Sequence, residues 1–339
     1  MQNYRSKIRF KIFVGSKAFI LPLFLKEITM KSNKITTLTI NPSLDKSTHF
    51  TGLIAEQKIR CEKPRYDCGG GGINVSKAIS KLGGKSSCIF TSGGSSGEML
   101  EDLIATEKLD GIMIKTKNWT RENFIAFENT SKAQYRFGFP GNEFSEKEKN
   151  KILQTIKELK TDYLVISGSL NEGLATNFYQ KIVEIAKESN TKVVVDTSGA
   201  ALQKVLETGV YLIKPNIGEL AKLIGVEHLE LADVEKAAQK LIENQSAEIV
   251  VVSLGAEGAI LVTQDETHFV KAPKVAKKST VGAGDSMVGG MIWALSQNKS
   301  LKEVIQMGVC CGTAATMNEG TQLFKAEDAK RLFERLKDK

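Results

Sequence analysis

The chain has 339 residues, of which 41% are hydrophobic and 25% charged, and its net charge is +8. This composition is typical of a globular protein with a sizeable core and excludes disordered and collagen-like chains. Residues 1–29 carry +5 of that charge, so the remainder is only mildly basic. Without a basic stripe with interleaved aromatic side chains, nucleic-acid binding is not expected.

Cysteine and histidine usage excludes further classes of protein. The five cysteines are an odd number, and none of their spacings is CxxC. We therefore expect neither a disulfide framework nor a zinc site, and we expect a reducing, cytoplasmic compartment. Three histidines without a paired motif argue against metal or triad chemistry based on histidine.

Residues 1–29 form a segment of separate character. Basic flanks surround a short apolar run, Ala18 to Leu25, which is too short to span a membrane and has no small-x-small cleavage site after it. Met30 then opens a sequence typical of a protein start. We expect residues 1–29 to be an upstream extension or a disordered tail, with a targeting segment as the alternative, and residues 30–339 to form the domain.

After this segment, strand-like apolar runs alternate with amphipathic stretches. The predicted buried strands are Ile35–Ile40, Tyr163–Ser167, Val193–Asp196, Tyr211–Lys214 and Ile249–Ser253, and the predicted helices are Ile73–Leu82, Glu98–Thr106, Lys147–Leu159, Thr176–Glu188 and Asp233–Glu243. The alternation predicts an α/β fold, a doubly wound, mostly parallel sheet with helices on both faces. From Asp285 onward the pattern is almost entirely helical.

Two segments interrupt this alternation. Residues 46–68 and 118–140 contain short alternating runs, such as Phe124–Glu128 and Gln134–Phe137, that are typical of half-exposed antiparallel strands. We predict that they form a small β-sheet lid over the carboxyl edge of the main sheet, where α/β proteins bind ligands.

Glycines 69–72 precede a predicted helix and indicate close approach of a ligand to the backbone. Asn74, in the first helical turn, offers a donor and an acceptor, and Asp45, after the first strand, could accept sugar hydroxyls. A flexible turn at the glycine block and a turn or helix-capping role for Asp45 are the structural alternatives. The block is not GxGxxG, so NAD binding is disfavoured.

Charged residues of the two inserted segments could surround the anionic end of a substrate. They are Lys58 and Arg60 in the first segment and Arg121 and Arg136 in the second. The run KPNIGE at 214–219 follows a strand, and its Asn216 could simply cap a helix. Glu219, one turn later, could hold a water on Mg²⁺, which binds few carboxylates and several waters.

The run STVGAGDS at 279–286 places glycines and one aspartate before an apolar helix. Backbone amides of Gly282, Ala283 and Gly284 at a helix start would bind an anion such as a migrating phosphoryl group. Asp285 would then take the proton of the attacking alcohol. The alternative is a helix-capping aspartate. A P-loop kinase is excluded because GxxxxGK[ST] does not occur.

These motifs together resemble the ribokinase-like, phosphofructokinase-B family of sugar kinases, from about Ile35 to the C-terminus. The stretches that carry the resemblance are GGGGIN at 69–74, KPNxxE at 214–219 and STVGAGDS at 279–286. Further stretches, TLTINPSLD, NWTREN, QYRF and VISGSL, are similar to those of 6-phosphofructokinases. The resemblance implies ATP-dependent phosphorylation of fructose 6-phosphate at its C1 hydroxyl, with Mg²⁺ and a potassium ion, in a cytoplasmic homodimer formed through the lid.

The resemblance also implies a role for each matching residue. Asp285 would be the base with Gly282, Ala283 and Gly284 as anion hole; Asp45, Lys58, Arg60, Gly69, Gly70, Asn74, Arg121 and Ser169 would bind the sugar phosphate; Lys214, Asn216, Ser253, Gly255, Thr280, Gly282 and Gly284 would line ATP; Glu219 would hold Mg²⁺ through water; and Ser279, Val281, Ala315, Asn318 and Gly320 would hold K⁺.

Rival activities remain open at this point. Tagatose-6-phosphate kinases and 1-phosphofructokinases of this family carry a lysine at the position of Gly71, so the glycine favours fructose 6-phosphate. A lid tyrosine linked to inhibition by ATP is replaced by Ile54, which argues against that regulation. A non-catalytic sugar-phosphate-binding regulator is a third reading, and the intact Asp285 argues against it.

Overall fold

The computed structural model divides the chain into two units, Met1–Ser32 and Asn33–Lys339. It describes residues 33–318 and 322–337, and of the first unit only the backbone of two strands, β1 (Ile12–Val14) and β2 (Lys17–Phe19), which pair antiparallel. The other residues of the predicted extension lie outside the described part of the chain. No described helix is both long enough and apolar enough to cross a membrane.

The second unit alternates strands and helices, as the sequence pattern predicts. Its strands are β3 (Ile35–Thr39), β4 (Ser43–Phe50), β5 (Arg65–Gly69), β6 (Ser87–Ser92), β7 (Asp110–Lys115), β8 (Arg121–Glu128), β9 (Gln134–Gly138), β10 (Tyr163–Ser167), β11 (Lys192–Asp196), β12 (Val210–Ile213), β13 (Ala247–Ser253), β14 (Ala259–Val262) and β15 (Thr267–Val270). Its helices are α1 (Gly71–Lys81), α2 (Gly94–Thr106), α3 (Glu146–Lys157), α4 (Phe178–Glu188), α5 (Gly199–Leu206), α6 (Ile217–Leu223), α7 (Val234–Glu243), α8 (Ala283–Ser296), α9 (Leu301–Thr316) and α10 (Ala326–Lys337).

In the described part of the chain, nine strands form the main sheet, in the order β15-β14-β13-β12-β11-β10-β3-β6-β7. Neighbours from β13 to β7 are parallel, and β14 and β15 add an antiparallel edge. Along the chain, β6 and β7 are added on one side of β3. The chain then returns to the other side of β3, where β10 to β15 are added in sequence. The order therefore reverses between β3 and β10, and doubly wound sheets bind ligands at such a point.

Helices cover both faces of this sheet, as predicted. On one face α3 to α7 pack on alternate strand side chains such as Leu38 and Ile166. On the other face α1, α8, α9 and α10 pack on the intervening ones, such as Val165 and Val251. Because parallel strands are buried on both faces, their sequences are nearly continuous apolar runs.

A second, four-stranded sheet has the order β5-β4-β8-β9 and contains both inserted segments. The expectation of antiparallel pairing is correct for the two outer pairs but wrong for the central one, because β4 and β8 run parallel. The reason is that β4 follows β3 and β8 follows β7. Both strands leave the same carboxyl edge of the main sheet and therefore run in the same direction.

Candidate active site

Most of the predicted site residues lie at the carboxyl edge of the main sheet. Asp45 follows the end of β3 and Ser169 follows β10, the two strands between which the strand order reverses. Asp196, Lys214 and Ser253 lie at or just after the ends of the next three strands. Parallel strands bring these separate positions together because their carboxyl ends share one edge.

Asp285 lies in the first turn of α8, and Gly282 is the residue that caps this helix. Gly282 has a φ of 71°, a left-handed conformation that glycine adopts without a steric penalty. The Asp285 Oδ2 atom accepts a hydrogen bond of 2.9 Å from Nδ2 of Asn74. The structure thus joins two residues from motifs 211 positions apart.

Glycines also allow α1 and α8, the helices that carry these two residues, to pack closely. A Cβ at Gly289 of α8 would lie only 2.5 Å from the Ala78 side chain and 3.1 Å from the backbone oxygen of Val75, both in α1. A larger residue at 289 would therefore push the helices apart. The Asn74–Asp285 contact depends on this packing.

The charges around Asp285 oppose one another. Lys214 is buried, and its Nζ lies 3.3 Å from Oδ1 of Asp196. Burial, and then the negative charge of Asp196, raise the pKa of Asp285 to about 6 despite the hydrogen bond from Asn74. Burial by itself lowers the pKa of Lys214. The nearby carboxylates, Asp196 above all, together have the larger effect, so the pKa of this lysine is raised.

The glycine block is required mainly by packing against neighbouring strands. A Cβ at Gly72 would lie 2.7 Å from the backbone oxygen of Leu38, and one at Gly71 would lie 2.8 Å from the backbone nitrogen of Gly168. Gly70, with a φ of 118°, caps α1. A lysine at position 71 would therefore meet the end of β10 first, which weakens Gly71 as an indicator of substrate choice.

Asp45 lies on the lid face and is buried. Its Oδ1 atom accepts hydrogen bonds from Ser43 Oγ at 2.7 Å and from Asn123 Nδ2 at 2.8 Å. A side chain at Gly69 would collide with the other oxygen, Oδ2, so the missing Cβ keeps space open around it. Burial raises the pKa of Asp45 against these two hydrogen bonds.

Arg121 begins β8 beside Ser43 of the parallel strand β4. Its Nη1 donates to Asn123 Oδ1 and to the Phe139 carbonyl, and its Nη2 donates to the Asn41 carbonyl, each at 3.3 Å. The buried Nε has no partner in the described part of the chain. The Nε–Nη2 edge, which can grip a phosphate with two N–H groups, therefore retains free donor capacity.

The other predicted phosphate ligands are more distant within one chain. Lys58 and Arg60 line a cavity of about 420 Å³ beyond Phe50, at the far end of β4. Phe50 lies five positions after Asp45, which corresponds to a strand length of about 16 Å. Arg136 shares the lid face with Asn123 through the register of β8 and β9, and it is exposed.

Ser169 belongs to a polar cluster next to the lid. Its Oγ accepts a 3.0 Å hydrogen bond from Asn41 Nδ2, and its carbonyl accepts one from the Tyr179 hydroxyl. Asn41, Ser43, Asn123 and Asp196 were not singled out from the sequence. They lie within or next to the stretches NPSLD, NWTREN and VVVD, but short polar runs do not reveal which side chains meet.

The predicted nucleotide residues surround the start of α6. Asn216 caps this helix, and Glu219 completes the capping box with it. The structural alternative for Asn216 is therefore correct, and it is compatible with a role in binding nucleotide. One Glu219 oxygen accepts the Asn216 N–H at 2.8 Å. Asn216 also forms an isolated parallel β-bridge with Ser253. Gly255 begins a short 3-10 helix, and Thr280 is exposed. The described residues contain no group of three or more His, Cys, Asp and Glu side chains suited to a metal ion.

The predicted potassium loop lies against the end of α9. The backbone nitrogens of Lys278 and Ser279 donate to the Thr316 carbonyl at 2.8 and 3.2 Å. This contact brings Ser279 next to the last turn of α9, which contains Ala315. The Val281 N–H donates to Ser279 Oγ at 3.2 Å. Asn318 follows the helix, and Gly320 lies outside the described residues.

Comparison with known proteins gives a consistent result. The model of the pfkB family carbohydrate kinases matches residues 35–328. The ATP-dependent 6-phosphofructokinase isozyme 2 of Escherichia coli (strain K12) is 41% identical over 302 residues, covering 88% of this chain and 98% of that protein. The 1-phosphofructokinase of Bacillus subtilis (strain 168) is 32% identical, covering 86% and 95%.

Solved structures show the same likeness. Phosphofructokinase-2 from Escherichia coli in complex with fructose-6-phosphate matches with a TM-score of 0.86 and 39% identity, covering 90% of this chain and 99% of that one. The same enzyme in complex with potassium matches with a TM-score of 0.87 and 40% identity, with the same coverage.

Proposed function

The chain belongs to the pfkB family of carbohydrate kinases, and from this premise we propose that it is an ATP-dependent 6-phosphofructokinase. It transfers the γ-phosphoryl group of ATP to the C1 hydroxyl of fructose 6-phosphate, giving fructose 1,6-bisphosphate, a step of glycolysis. The relatives at 37–41% identity are named as 6-phosphofructokinases, whereas the B. subtilis 1-phosphofructokinase is less similar.

The observation that carries this proposal is the environment of Asp285. Its carboxylate lies at the start of α8, where unpaired backbone N–H groups attract a phosphoryl group. A pKa of about 6 leaves Asp285 ionised at neutral pH yet basic enough to accept a proton. In this mechanism Asp285 removes the C1 hydroxyl proton as the oxygen attacks the γ-phosphorus, and the bond from this phosphorus to the β–γ bridging oxygen breaks to release ADP.

The first turn of α8 would stabilise charge on the transferred group. Of the three predicted amides, that of Gly284 lies inside the helix start, where no intrahelical acceptor exists. The Ala283 N–H makes a long turn contact of 3.3 Å with the Thr280 carbonyl. Gly282, as the cap, turns the backbone so that these N–H groups point out of the helix.

The sugar phosphate would bind between the lid and the sheet edge. Asp45 Oδ2 would accept sugar hydroxyl hydrogens in the space above Gly69, and the Nε–Nη2 edge of Arg121 would bind the 6-phosphate. The amide oxygen of Asn74, Oδ1, is buried and has no partner among the described residues, so it could accept a hydrogen bond from a sugar hydroxyl. Ser169 and Gly70 complete this surface.

ATP would lie along the ends of β12 and β13. Lys214 would face its phosphates, because a Cβ at Gly284 would lie 3.6 Å from the Lys214 Nζ atom and the lysine thus borders the α8 turn. Asn216, Ser253, Gly255 and Thr280 would line the rest of the nucleotide.

Two cations accompany this chemistry. One oxygen of Glu219 remains for a water of Mg²⁺, and a single carboxylate with waters suits this ion. Mg²⁺ held there would neutralise part of the charge of the phosphates. Carbonyls of Ser279, Val281, Ala315 and Asn318 are the proposed potassium ligands, near the negative end of the α9 dipole. Gly320, the fifth proposed ligand, lies outside the described residues.

The proposed assembly is a cytoplasmic homodimer that pairs through the lids. The lid exposes three large apolar side chains, Leu53, Ile54 and Phe137. Their burial between two lids would remove apolar surface from water and stabilise a dimer. Lys58 and Arg60 are too distant from Asp45 of their own chain, so they would reach the site of the partner. ATP and hexose phosphates are metabolites of the cytoplasm, and all five cysteines are free.

A coupled ADP-release assay tests the function. The purified chain is given ATP with fructose 6-phosphate, tagatose 6-phosphate, fructose 1-phosphate or ribose, and kcat/KM is compared. We expect the highest value with fructose 6-phosphate. A higher value for tagatose 6-phosphate or fructose 1-phosphate would assign the chain to the corresponding kinase, and no turnover with any sugar would favour a binding protein.

A further inference from the structure

Asn123 of β8 joins the two groups on which the proposed sugar site depends. Its Nδ2 donates to Asp45 Oδ1 at 2.8 Å, and its Oδ1 accepts from Arg121 Nη1 at 3.3 Å. In the part of the chain that the structure describes, no other side chain hydrogen-bonds to both of these residues. Asn123 is half-buried between them.

The chemistry of the two neighbours fixes the orientation of this amide. An ionised carboxylate only accepts hydrogen bonds, and a guanidinium only donates them. The amide nitrogen must therefore face Asp45, and the amide oxygen must face Arg121. An aspartate or a leucine at this position could not satisfy both neighbours.

The lid register explains why these side chains meet. Ser43 lies beside Arg121, and Asp45 lies beside Asn123, on parallel neighbouring strands, so all four side chains share one face of the sheet. Glycines flank this group on the outer strands: Gly69 pairs with Ser43, and Gly138 pairs with Asn123. The outer strands therefore place glycines beside Ser43 and Asn123, whereas Asp45 has Asp67 as its neighbour on β5.

This Asn123 bridge, meaning its two hydrogen bonds to Asp45 and Arg121, also determines which atoms of the two residues remain free for a ligand. It occupies Asp45 Oδ1 together with Ser43, which leaves Oδ2. It occupies Arg121 Nη1 together with the Phe139 carbonyl, which leaves donor capacity on the Nε–Nη2 edge. One amide thus holds a carboxylate and a guanidinium at a fixed separation.

We propose that Asn123 is a positioning residue that matches the site to a sugar carrying both hydroxyls and a phosphate, by fixing the separation of Asp45 from Arg121. This inference rests on the proposed function, because it assigns Asp45 to the sugar hydroxyls and Arg121 to the phosphate. It makes Asn123 a determinant of sugar-phosphate selectivity that does not itself carry charge.

The central test is Asn123→Leu, which keeps the side-chain size and removes both hydrogen bonds. We expect the KM for fructose 6-phosphate to rise by about ten- to a hundredfold, the effect of lost hydrogen bonds to charged groups, with the KM for ATP changed less than about twofold. Glu122→Gln, exposed on the opposite face of β8, is the matched control and should match wild type.

Two conservative variants separate positioning from folding. Asn123→Gln keeps the donor and the acceptor, so it should recover part of the affinity that Asn123→Leu loses. Asn123→Asp loses the donor and sets two carboxylates together, so it should be at least as weak as Asn123→Leu. These two carry the test if Asn123→Leu does not fold.

Ser43→Ala separates the two halves of the bridge, since it removes a donor to Asp45 and leaves Arg121 untouched. Inorganic phosphate, tested as a competitor of fructose 6-phosphate at saturating ATP, reports on the guanidinium. We expect phosphate to compete less well against Asn123→Leu than against wild type, and to be unchanged against Ser43→Ala.

A pH profile of sugar binding gives a readout that a merely structural role would not move. Burial is the largest influence on Asp45 and, with Asp67, raises its pKa, while Ser43, Asn123 and Arg121 lower it. Losing the Asn123 donor should raise the pKa of Asp45 further. As the pH is lowered, the affinity for fructose 6-phosphate, measured by calorimetry without ATP, should therefore begin to decrease at a higher pH in the variant than in wild type.

The outcomes separate the inference from the function on which it rests. Wild type that turns over a different sugar best, or none, overturns the proposed function. Wild type that uses fructose 6-phosphate, together with a folded Asn123→Leu whose sugar KM and pH profile are unchanged or whose two KM values rise equally, overturns the role of Asn123 alone.

Discussion

The edge of the main sheet and the face of the lid hold their acidic side chains by different means. At the sheet edge, the backbone positions Asp285: the left-handed Gly282 and the start of α8 set its direction, with one side-chain hydrogen bond from Asn74. On the lid, side chains position Asp45, through Ser43 and Asn123. Burial raises the pKa of both carboxyl groups.

This difference suits a division of labour. A backbone-built site changes little when a side chain nearby is replaced, which favours a proton transfer that requires fixed geometry. A network of side chains can change with a few substitutions on a constant scaffold, which favours the choice of substrate. We therefore expect edge substitutions to affect kcat or folding and lid substitutions to affect the KM of the sugar.

The largest effect should follow from Asp285→Asn. Loss of the general base should lower kcat by about 10²–10⁴-fold, while ATP and sugar still bind because the amide keeps the size of the side chain. Steady-state kinetics and calorimetry measure the two properties. A folded variant with near-normal kcat would remove Asp285 from the mechanism.

Arg121→Ala tests the lid side of the comparison. We expect the KM for fructose 6-phosphate to rise about ten- to a hundredfold, or about 1.4–2.7 kcal/mol, because a guanidinium binds phosphate with two hydrogen bonds. The KM for ATP should be nearly unchanged. An equal rise in both KM values would contradict a dedicated sugar-phosphate role.

A matched pair of glycine substitutions compares the packing of the two regions. Gly71→Ala should lower stability by about 1–3 kcal/mol, since its Cβ would lie 2.8 Å from backbone atoms of Ser167 and Gly168. Gly138→Ala on the lid should be tolerated, because the nearest described atom to its Cβ would be Asn123 Oδ1, at 3.8 Å. Thermal unfolding measures both, and equal melting temperatures would contradict the packing argument.

The pH dependence of kcat should follow Asp285. The base works only when ionised, so kcat should fall as the pH drops through about 6. Asp196→Asn removes a negative neighbour and should move this limb to lower pH, whereas Lys214→Met removes a positive one and should move it to higher pH. If the two variants shifted this limb of the pH profile in the same direction, the assignment of the limb to Asp285 would be contradicted, whatever the change in the size of kcat.

The smallest effect should come from deleting residues 1–29. Met30 precedes the first strand of the domain, so we expect the solubility and the kcat/KM of the truncated chain to equal those of the full chain. Activity and size-exclusion profiles of both chains check this. A large loss of either would make the segment part of the functional protein.

Much of the main sheet could be predicted because buried parallel strands are apolar runs of recognisable length. The predicted Tyr163–Ser167 matches β10, and the other four predicted strands differ from the observed ones by one or two residues at one or both ends. Strands β6 and β7 were missed because Ser87–Ser92 has polar ends and Asp110–Lys115 lies at the sheet edge, largely exposed. Helix α5 was missed because eight residues hold too little periodicity.

The sequence by itself determined the residues with chemical potential, because glycine, aspartate and asparagine in these spacings already limit the chemistry available at a helix start. Only the tertiary structure decided which of them meet. It joined Asn74 to Asp285, paired Asp196 with Lys214, and set Asn123 between Asp45 and Arg121. It also placed Lys58 and Arg60 far from their own Asp45. Such contacts depend on strand order and register, which arise from packing across the whole chain and leave no mark in a short stretch of sequence.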